Sequence, residues 1–235
     1  MSVVVSKARA DEITVAKFGG TSVADYQAMM RCAHIIKNDS CNRVVVVSAS
    51  AGVTNNLVRL SQENVPASEQ KDIISAIANI QFAITQHLTC QASLDLEITE
   101  LLEALAICAE KQAANFSVQN SDQILSFGEQ LSSRIFAHVL QSIGVNGHYF
   151  DVRQVMKTDD LYGKAQVDLA QLAINAQALL LPKLADQVIV TQGFIGSDQQ
   201  GNTTTLGRGG SDYSAALLAE ALQASNLSIW TDVVG

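Results

Sequence analysis

The sequence is short of charged residues and prolines, and each shortage excludes a class of protein. Charged residues make up only 16% of the chain and hydrophobic residues 48%, a balance that excludes an intrinsically disordered protein. The net charge is −8, which argues against nucleic acid or an anionic membrane as a partner, because either would need a basic face. With only two prolines and no low-complexity segment, residues 1–235 are expected to form a single domain.

Paired cysteines and long apolar runs are also missing. The four cysteines, at 32, 41, 90 and 108, are far apart and form no C-x-x-C pair, which favours reduced thiols over a zinc site or disulfides. Residues 1–12 lack the apolar run of a signal peptide, and no stretch approaches the length of a transmembrane helix. These features predict a soluble, cytoplasmic protein without a metal site built from its own side chains.

Short apolar runs alternate with longer helical patterns along the chain. Strands are predicted at 13–18, 43–49, 145–152, 187–195 and 227–231, and helical periodicity is found at 73–84, 94–110, 121–143 and 167–184. Ser121 is the predicted N-cap of the third of these helices. This alternation predicts an α/β protein, a three-layer α/β/α sandwich whose central sheet is mainly parallel. In such sheets, ligands bind beyond the carboxyl ends of the strands.

The first polar loop at such a strand end is Lys17-Phe-Gly-Gly-Thr-Ser22. Gly19 and Gly20 allow close approach of the backbone to a ligand, Lys17 supplies a cation, and a helix predicted to start near Val23 would favour an anion. A glycine turn with a solvated lysine explains the segment equally well. The pattern matches neither the Walker A nor the dinucleotide-binding motif.

Two further segments combine small residues with hydroxyl or carboxylate groups. Ser48-Ala-Ser-Ala-Gly-Val-Thr54 directly follows a buried strand, and either a polar ligand site or an ordinary tight loop would suit it. Ser126-Phe-Gly-Glu129 lies on a predicted helix, where small neighbours give Glu129 room to bind a substrate ammonium. A solvated glutamate at the edge of the helix is the simpler alternative.

The richest loop is Gly201-Asn-Thr-Thr-Thr-Leu-Gly-Arg-Gly-Gly-Ser-Asp212, which opens a predicted helix. Its Arg208, flanked by glycines, has the planar fork that binds a carboxylate with two hydrogen bonds. Asp212 could orient a cationic side chain or a metal ion. Helix capping, with Ser211 as N-cap and Asp212 favoured by the helix dipole, explains those two residues but leaves Arg208 without a role.

Taken in order, these loops resemble those of the aspartate kinases in the amino-acid kinase family, most closely the lysine-sensitive type. The resemblance spans nearly the whole chain and is carried by the segments 17–23, 48–54, 126–129, 150–153, 191–196, 203–212 and 230–232. It implies the amino-acid kinase fold and the ATP-dependent phosphorylation of the L-aspartate β-carboxylate to 4-phospho-L-aspartate. That reaction is the first step toward lysine, threonine and methionine.

The resemblance also implies roles for residues of the acceptor site. Arg208 would hold the α-carboxylate of aspartate and Glu129 its ammonium group. Three hydroxyl residues would line the same site: Ser48, Thr54 and Ser211.

For phosphoryl transfer, the resemblance implies that Lys17 steadies the transferred group and that Asp212 organises this lysine. The amides of Gly19 and Gly20 would help Lys17 to bind ATP, and Thr231 and Asp232 would begin the nucleotide site. Magnesium would be bound to the phosphates of ATP.

The resemblance sets further expectations and leaves alternatives open. Position 127 is Phe where related kinases often have His. The family's catalytic domain continues beyond the segment represented by residues 1–235, so this domain is expected to be incomplete at its C-terminal end and the regulatory domains absent. A full-length protein is expected to form a homo-oligomer. The alternatives are an aspartate-binding remnant without kinase activity and an amino-acid kinase with another carboxylate acceptor.

Overall fold

The computed structural model describes residues 12–231, so the predicted nucleotide-site residue Asp232 lies outside the described residues. The strands are β1 (Thr14–Phe18), β2 (Asn42–Val47), β3 (Gly147–Phe150), β4 (Val188–Gln192), β5 (Ile195–Ser197), β6 (Thr203–Thr205) and β7 (Asn226–Trp230). The α-helices are α1 (Tyr26–Asn38), α2 (Val53–Leu60), α3 (Ala67–Thr85), α4 (Gln91–Ala114), α5 (Val118–Ser142), α6 (Leu169–Asn175) and α7 (Gly210–Ala221). No helix among the described residues is long and apolar enough to cross a bilayer.

A five-stranded sheet in the order β3-β4-β2-β1-β7 forms the centre of the molecule, and all its neighbouring strands are parallel. Its central strands are buried on both faces, as the continuous Val44–Val47 run predicts. Because successive side chains point to opposite faces, Val45 and Val47 enter one core with α1 to α5, while Val44 and Val46 enter a second core with α6 and α7. The predicted three-layer sandwich with a mainly parallel sheet is confirmed.

The main differences from the sequence prediction lie at the ends of elements. Helix α5 begins at Val118, and its N-cap is Ser117, whose extended backbone lets its Oγ accept the amide of Asn120 at 3.0 Å. The prediction of Ser121 as N-cap is therefore wrong, since this residue lies one turn inside the helix. The helix predicted near Val23 is a 3₁₀ turn, and α1 starts only at Tyr26.

The predicted helix at 167–184 is interrupted. Only α6 is α-helical there, followed by a π-helical turn (Ala176–Leu180) and a 3₁₀ turn (Leu181–Ala185) that contains Pro182. The predicted strand at 187–195 ends at Gln192, and the chain then forms an antiparallel hairpin of β5 and β6 that the sequence analysis did not predict. In the chain this hairpin connects β4 to α7, and Thr205 of β6 lines the cavity described below.

Candidate active site

A cavity of about 490 Å³ opens at the carboxyl edge of the sheet. Its wall contains the predicted acceptor and catalytic residues Lys17, Ser48, Thr54, Glu129, Arg208, Ser211 and Asp212. These side chains come from six segments: β1, the loop after β2, α2, α5, the loop between β6 and α7, and the first turn of α7. The parallel sheet brings them together, because the carboxyl ends of its strands lie at one edge.

Lys17 and Asp212 form an ion pair in this wall. The Nζ–Oδ1 distance is 2.6 Å, and the Lys17 side chain is 8% exposed whereas that of Asp212 is 52% exposed. A buried ammonium group is costly without a partner, so Asp212 stabilises the charged lysine inside the fold. The half-exposed carboxylate leaves one side of the pair open to a ligand. The structure thus excludes a solvated Lys17 on a simple glycine turn.

Glu129 is buried in the cavity wall and is not a solvated residue at the helix edge. The amide of Ala49 donates a hydrogen bond to its Oε1 at 3.1 Å. Gly128 allows this contact, because a Cβ there would lie 2.6 Å from the Cβ of Ala49. Burial raises the pKa of Glu129 from 4.5 to about 7, although the Ala49 amide and the nearby Lys17 oppose the rise.

The raised pKa of Glu129 predicts a pH-dependent stability. Between pH 4.5 and about 7, the unfolded chain would ionise Glu129 while the ligand-free folded protein keeps it protonated. The stabilisation is therefore fully present below pH 4.5 and lost as the pH rises through 7. Relative to Glu129→Gln, the wild type should lose about 3 kcal/mol of unfolding free energy over this window.

Urea unfolding of both proteins at several pH values between 4 and 8 measures this difference. Glu103→Gln, at an exposed position on α4, is the matched control and should leave the pH dependence of the wild type unchanged. A Glu129→Gln curve parallel to the wild type throughout would contradict the assignment of a buried, protonated carboxyl.

Arg208 is presented by an unusual backbone. Gly207 and Gly209 both have a φ of +78°, a backbone conformation that residues other than glycine rarely adopt. Helix α7 begins at Gly210 with Gly209 as its N-cap, so Ser211 is not the N-cap that the capping alternative required. Ser211 instead lies in the first turn with its side chain at the cavity. Within residues 12–231, the exposed Arg208 guanidinium makes no hydrogen bond or ion pair, so all its donors are available.

Within the first loop, Gly19 and Gly20 both make close contacts with neighbouring segments of the fold. The Gly19 amide donates to the carbonyl of Trp230 at 2.9 Å and is therefore occupied, which corrects its expected contact with phosphate. A Cβ at Gly20 would lie 2.7 Å from the Ala49 carbonyl oxygen, so glycine is needed for the loops after β1 and β2 to touch. Thr231 is next to Gly19, its Oγ1 3.6 Å from where a Cβ would stand. These three residues lie beside the cavity and outside its wall.

The wall also contains residues that were not predicted from the sequence as site residues, chiefly Val58, Leu125, Gly163, Phe194 and Thr205. Phe194 could have been noticed in the sequence, because it directly follows a glycine near the end of a predicted strand. The structure adds that its φ of +69° is strained for an aromatic residue. The others have no local signature. Phe127, where related kinases often have His, is buried in the core and is not part of the wall, so this departure leaves the cavity surface intact.

Comparison with known proteins agrees with this architecture. The profile of the amino acid kinase family matches residues 12–235. Lysine-sensitive aspartokinase 3 of Escherichia coli K12 is 50% identical over 224 residues, which cover 95% of this chain and 50% of that protein. The aspartokinase of Chlamydia trachomatis is 35% identical over 224 residues, 94% of this chain and 49% of that one.

A solved structure extends the similarity to the backbone. The crystal structure of E. coli aspartokinase III in complex with aspartate and ADP matches with a TM-score of 0.92 at 50% identity, covering 95% of this chain and 50% of that one. The chain thus spans about half the length of the curated relatives it matches. Sequence profile, fold and the arrangement of loops at the sheet edge lead to one conclusion: this chain belongs to the amino acid kinase family.

Proposed function

We propose that the protein is an aspartate kinase, which transfers the γ-phosphoryl group of ATP to the β-carboxylate of L-aspartate and releases 4-phospho-L-aspartate and ADP. The observation that carries the proposal is one cavity whose wall holds an unpaired guanidinium, a buried carboxyl and a lysine–aspartate ion pair. These groups complement an amino acid with two carboxylates and a phosphoryl donor. The E. coli relative that was crystallised with aspartate and ADP supports the same pair of ligands.

The acceptor would be held at its amino-acid end. Arg208 would grip the α-carboxylate through two parallel hydrogen bonds. Glu129 would accept hydrogen bonds from the substrate ammonium group. The positive charge of that group would favour ionisation of the buried carboxyl and lower its pKa. The hydroxyl groups of Ser48, Thr54 and Ser211 would complete the polar contacts. The β-carboxylate would then point toward Lys17.

Phosphoryl transfer requires mainly positioning and the stabilisation of charge. Lys17 would bind the transferred group, and Asp212 would hold the ammonium in place and keep it charged. The first turn of α7 would add the amides of Ser211 and Asp212, since the first N–H groups of a helix lack partners within it. The β-carboxylate is ionised at neutral pH, so its oxygen can attack without a general base.

The nucleotide would lie toward the carboxyl ends of β1 and β7, with Gly20 and Thr231 as proposed contacts. Asp232, outside the described residues, is a further proposed contact. Gly19, whose amide donates to the Trp230 carbonyl, would lie beside the nucleotide without donating to its phosphates. Magnesium would arrive with ATP, since this ion is usually held by substrate phosphates and one or two carboxylates. Asp212 is the exposed carboxylate at the cavity that could take part.

We further infer a homo-oligomeric, cytoplasmic enzyme whose product enters lysine, threonine and methionine biosynthesis, without nucleic acid or membrane as a partner. Residues 1–235 would belong to its catalytic domain. These points come from the resemblance and the composition.

The experiment is a hydroxamate assay on the full-length gene product, with aspartate, glutamate and N-acetylglutamate as acceptors and ATP as donor. We expect hydroxamate with aspartate and ATP together, and background with the other acceptors or without ATP. Preference for another acceptor would replace aspartate in the proposal. Aspartate binding by calorimetry without any turnover would favour the substrate-binding remnant.

A further inference from the structure

Asp122 is a buried carboxylate with no part in the proposed chemistry. It is 1% exposed and lies on α5 two turns before Glu129, so both acidic side chains occupy the same side of this helix. Burial raises the pKa of Asp122, although hydrogen bonds from Gly163 and Thr205 oppose the rise. A buried carboxylate is expensive unless it is well bonded, so its contacts indicate what it does.

The carboxylate of Asp122 joins two segments that are far apart in the chain. Its Oδ2 accepts the amides of Gly163 at 2.9 Å and of Thr205 at 2.7 Å, while its Oδ1 accepts the hydroxyl of Thr205 at 2.9 Å. Gly163 and Thr205 both line the cavity. The two segments also bond each other, through the Ala165 amide and the Thr205 carbonyl at 2.9 Å. Asp122 thus fixes one side of the cavity to α5.

The backbone segments that Asp122 holds at Gly163 and Thr205 lie next to Arg208. Thr205 is three residues before it, and a Cβ on Gly207 would lie 3.2 Å from the carbonyl oxygen of Gly163, so the two backbones are in close contact. The Arg208 side chain makes no hydrogen bond or ion pair with the described residues, so the protein fixes the backbone from which the guanidinium extends and leaves the guanidinium itself unbonded.

We propose that Asp122 is a positioning residue that sets the place of Arg208 by clamping the Gly163 and Thr205 backbones to α5. This inference rests on the proposed function in one respect, namely that Arg208 binds the α-carboxylate of the acceptor. Asp122 itself would touch neither substrate. Its loss should therefore weaken acceptor binding far more than ATP binding.

The role requires hydrogen-bond acceptors and not a negative charge, and this distinction can be tested. An asparagine could accept both amides with its Oδ1 and donate its Nδ2–H to the Thr205 hydroxyl, which can also act as an acceptor. Alanine removes every contact. We therefore expect Asp122→Ala to raise the KM for aspartate about tenfold or more, since misplacement by about 1 Å can cost on the order of a hundredfold. The KM of Asp122→Asn for aspartate should stay much closer to the wild-type value than that of Asp122→Ala.

Two controls separate positioning from a general loss of stability. Leu105→Ala removes a fully buried side chain of α4 away from the cavity wall and should leave the KM for aspartate unchanged while lowering Tm. In an Arg208→Ala background, Asp122→Ala should add less than twofold to the KM, because the group it positions is gone. If Asp122→Ala fails to fold, Asp122→Ser replaces it in both backgrounds.

Hydrogen exchange tests the clamp without turnover. The amides of Gly163 and Thr205 should be protected in the wild type and in Asp122→Asn, and should exchange at least tenfold faster in Asp122→Ala. Unchanged exchange, or full additivity of Asp122→Ala with Arg208→Ala, would overturn the proposal. A wild type that exchanges as expected but phosphorylates no aspartate would refute the proposed function and leave the clamp standing.

Discussion

Lys17→Ala is expected to lower kcat for aspartate phosphorylation by about a thousandfold, the scale of losing a preorganised group that stabilises transition-state charge. Lys17 is buried beside Asp212, with the ion pair at the cavity wall. The variant removes the cation and leaves a carboxylate that repels the transferred phosphoryl group. The KM for aspartate should change much less, because Arg208 and Glu129 would hold the acceptor. The measurement is steady-state ADP release by the full-length protein with aspartate saturating.

Two variants make this test specific. Lys17→Met keeps most of the side-chain volume and should be as inactive as Lys17→Ala, which excludes a packing effect. Lys157→Ala is the matched control, because Lys157 is half-buried and donates to the neutral Ser197 hydroxyl at 2.9 Å, outside the cavity wall. Its kcat should stay within a few-fold of the wild type. If Lys17→Ala is as active as Lys157→Ala, the proposed role of Lys17 is wrong.

Arg208→Ala is expected to raise the KM for aspartate about a hundredfold, since a bidentate bond between guanidinium and carboxylate is among the stronger polar contacts. The KM for ATP should remain within a few-fold. Arg208 is exposed and forms no hydrogen bond or ion pair among residues 12–231, so its loss should leave Tm nearly unchanged. Initial rates over a range of aspartate concentrations, together with a melting curve, measure both effects.

Arg208→Lys distinguishes the geometry of the guanidinium from its charge. A lysine keeps the charge but loses the planar fork, so we expect it to recover only a small part of the lost affinity. Arg31→Ala, at an exposed position on α1, is the control for removing one positive charge from an acidic protein and should leave the KM unchanged. Equal effects of Arg31→Ala and Arg208→Ala would mean that Arg208 acts only through the overall field of the protein.

Much of the fold could be predicted because its signals are local. The Val44–Val47 run marks a strand buried on both faces, and both of its faces are indeed covered. The β5–β6 hairpin could not be predicted, since each strand has only three residues and its pairing depends on contacts with Asp122 and Met156 far away in the sequence. The start of α5 was missed because Ser117 and Ser121 are both suitable caps, and only the backbone conformation distinguishes them.

Some features of the candidate site could likewise be predicted from local sequence, and others could not. The glycine-flanked Arg208 could be predicted as a carboxylate ligand from residue type, because capping leaves it without a role. Lys17-Phe-Gly-Gly was by itself equally compatible with a glycine turn, and only its order among the other loops favoured a phosphate loop. The ion pair of Lys17 with Asp212, the burial of Glu129 and the clamp of Asp122 depend on contacts across the fold. A glutamate on a helix looks the same in sequence whether water or protein surrounds it.

Side-chain chemistry and hydrophobic periodicity are local properties, so the order of the amino acids was enough to predict which groups the protein can offer and which strands carry them to the sheet edge. The folded chain was needed to show which of these groups meet, how strongly burial raises the pKa of Glu129, and that the Gly19 amide is already occupied. Pairing and desolvation depend on distances between residues remote in the chain.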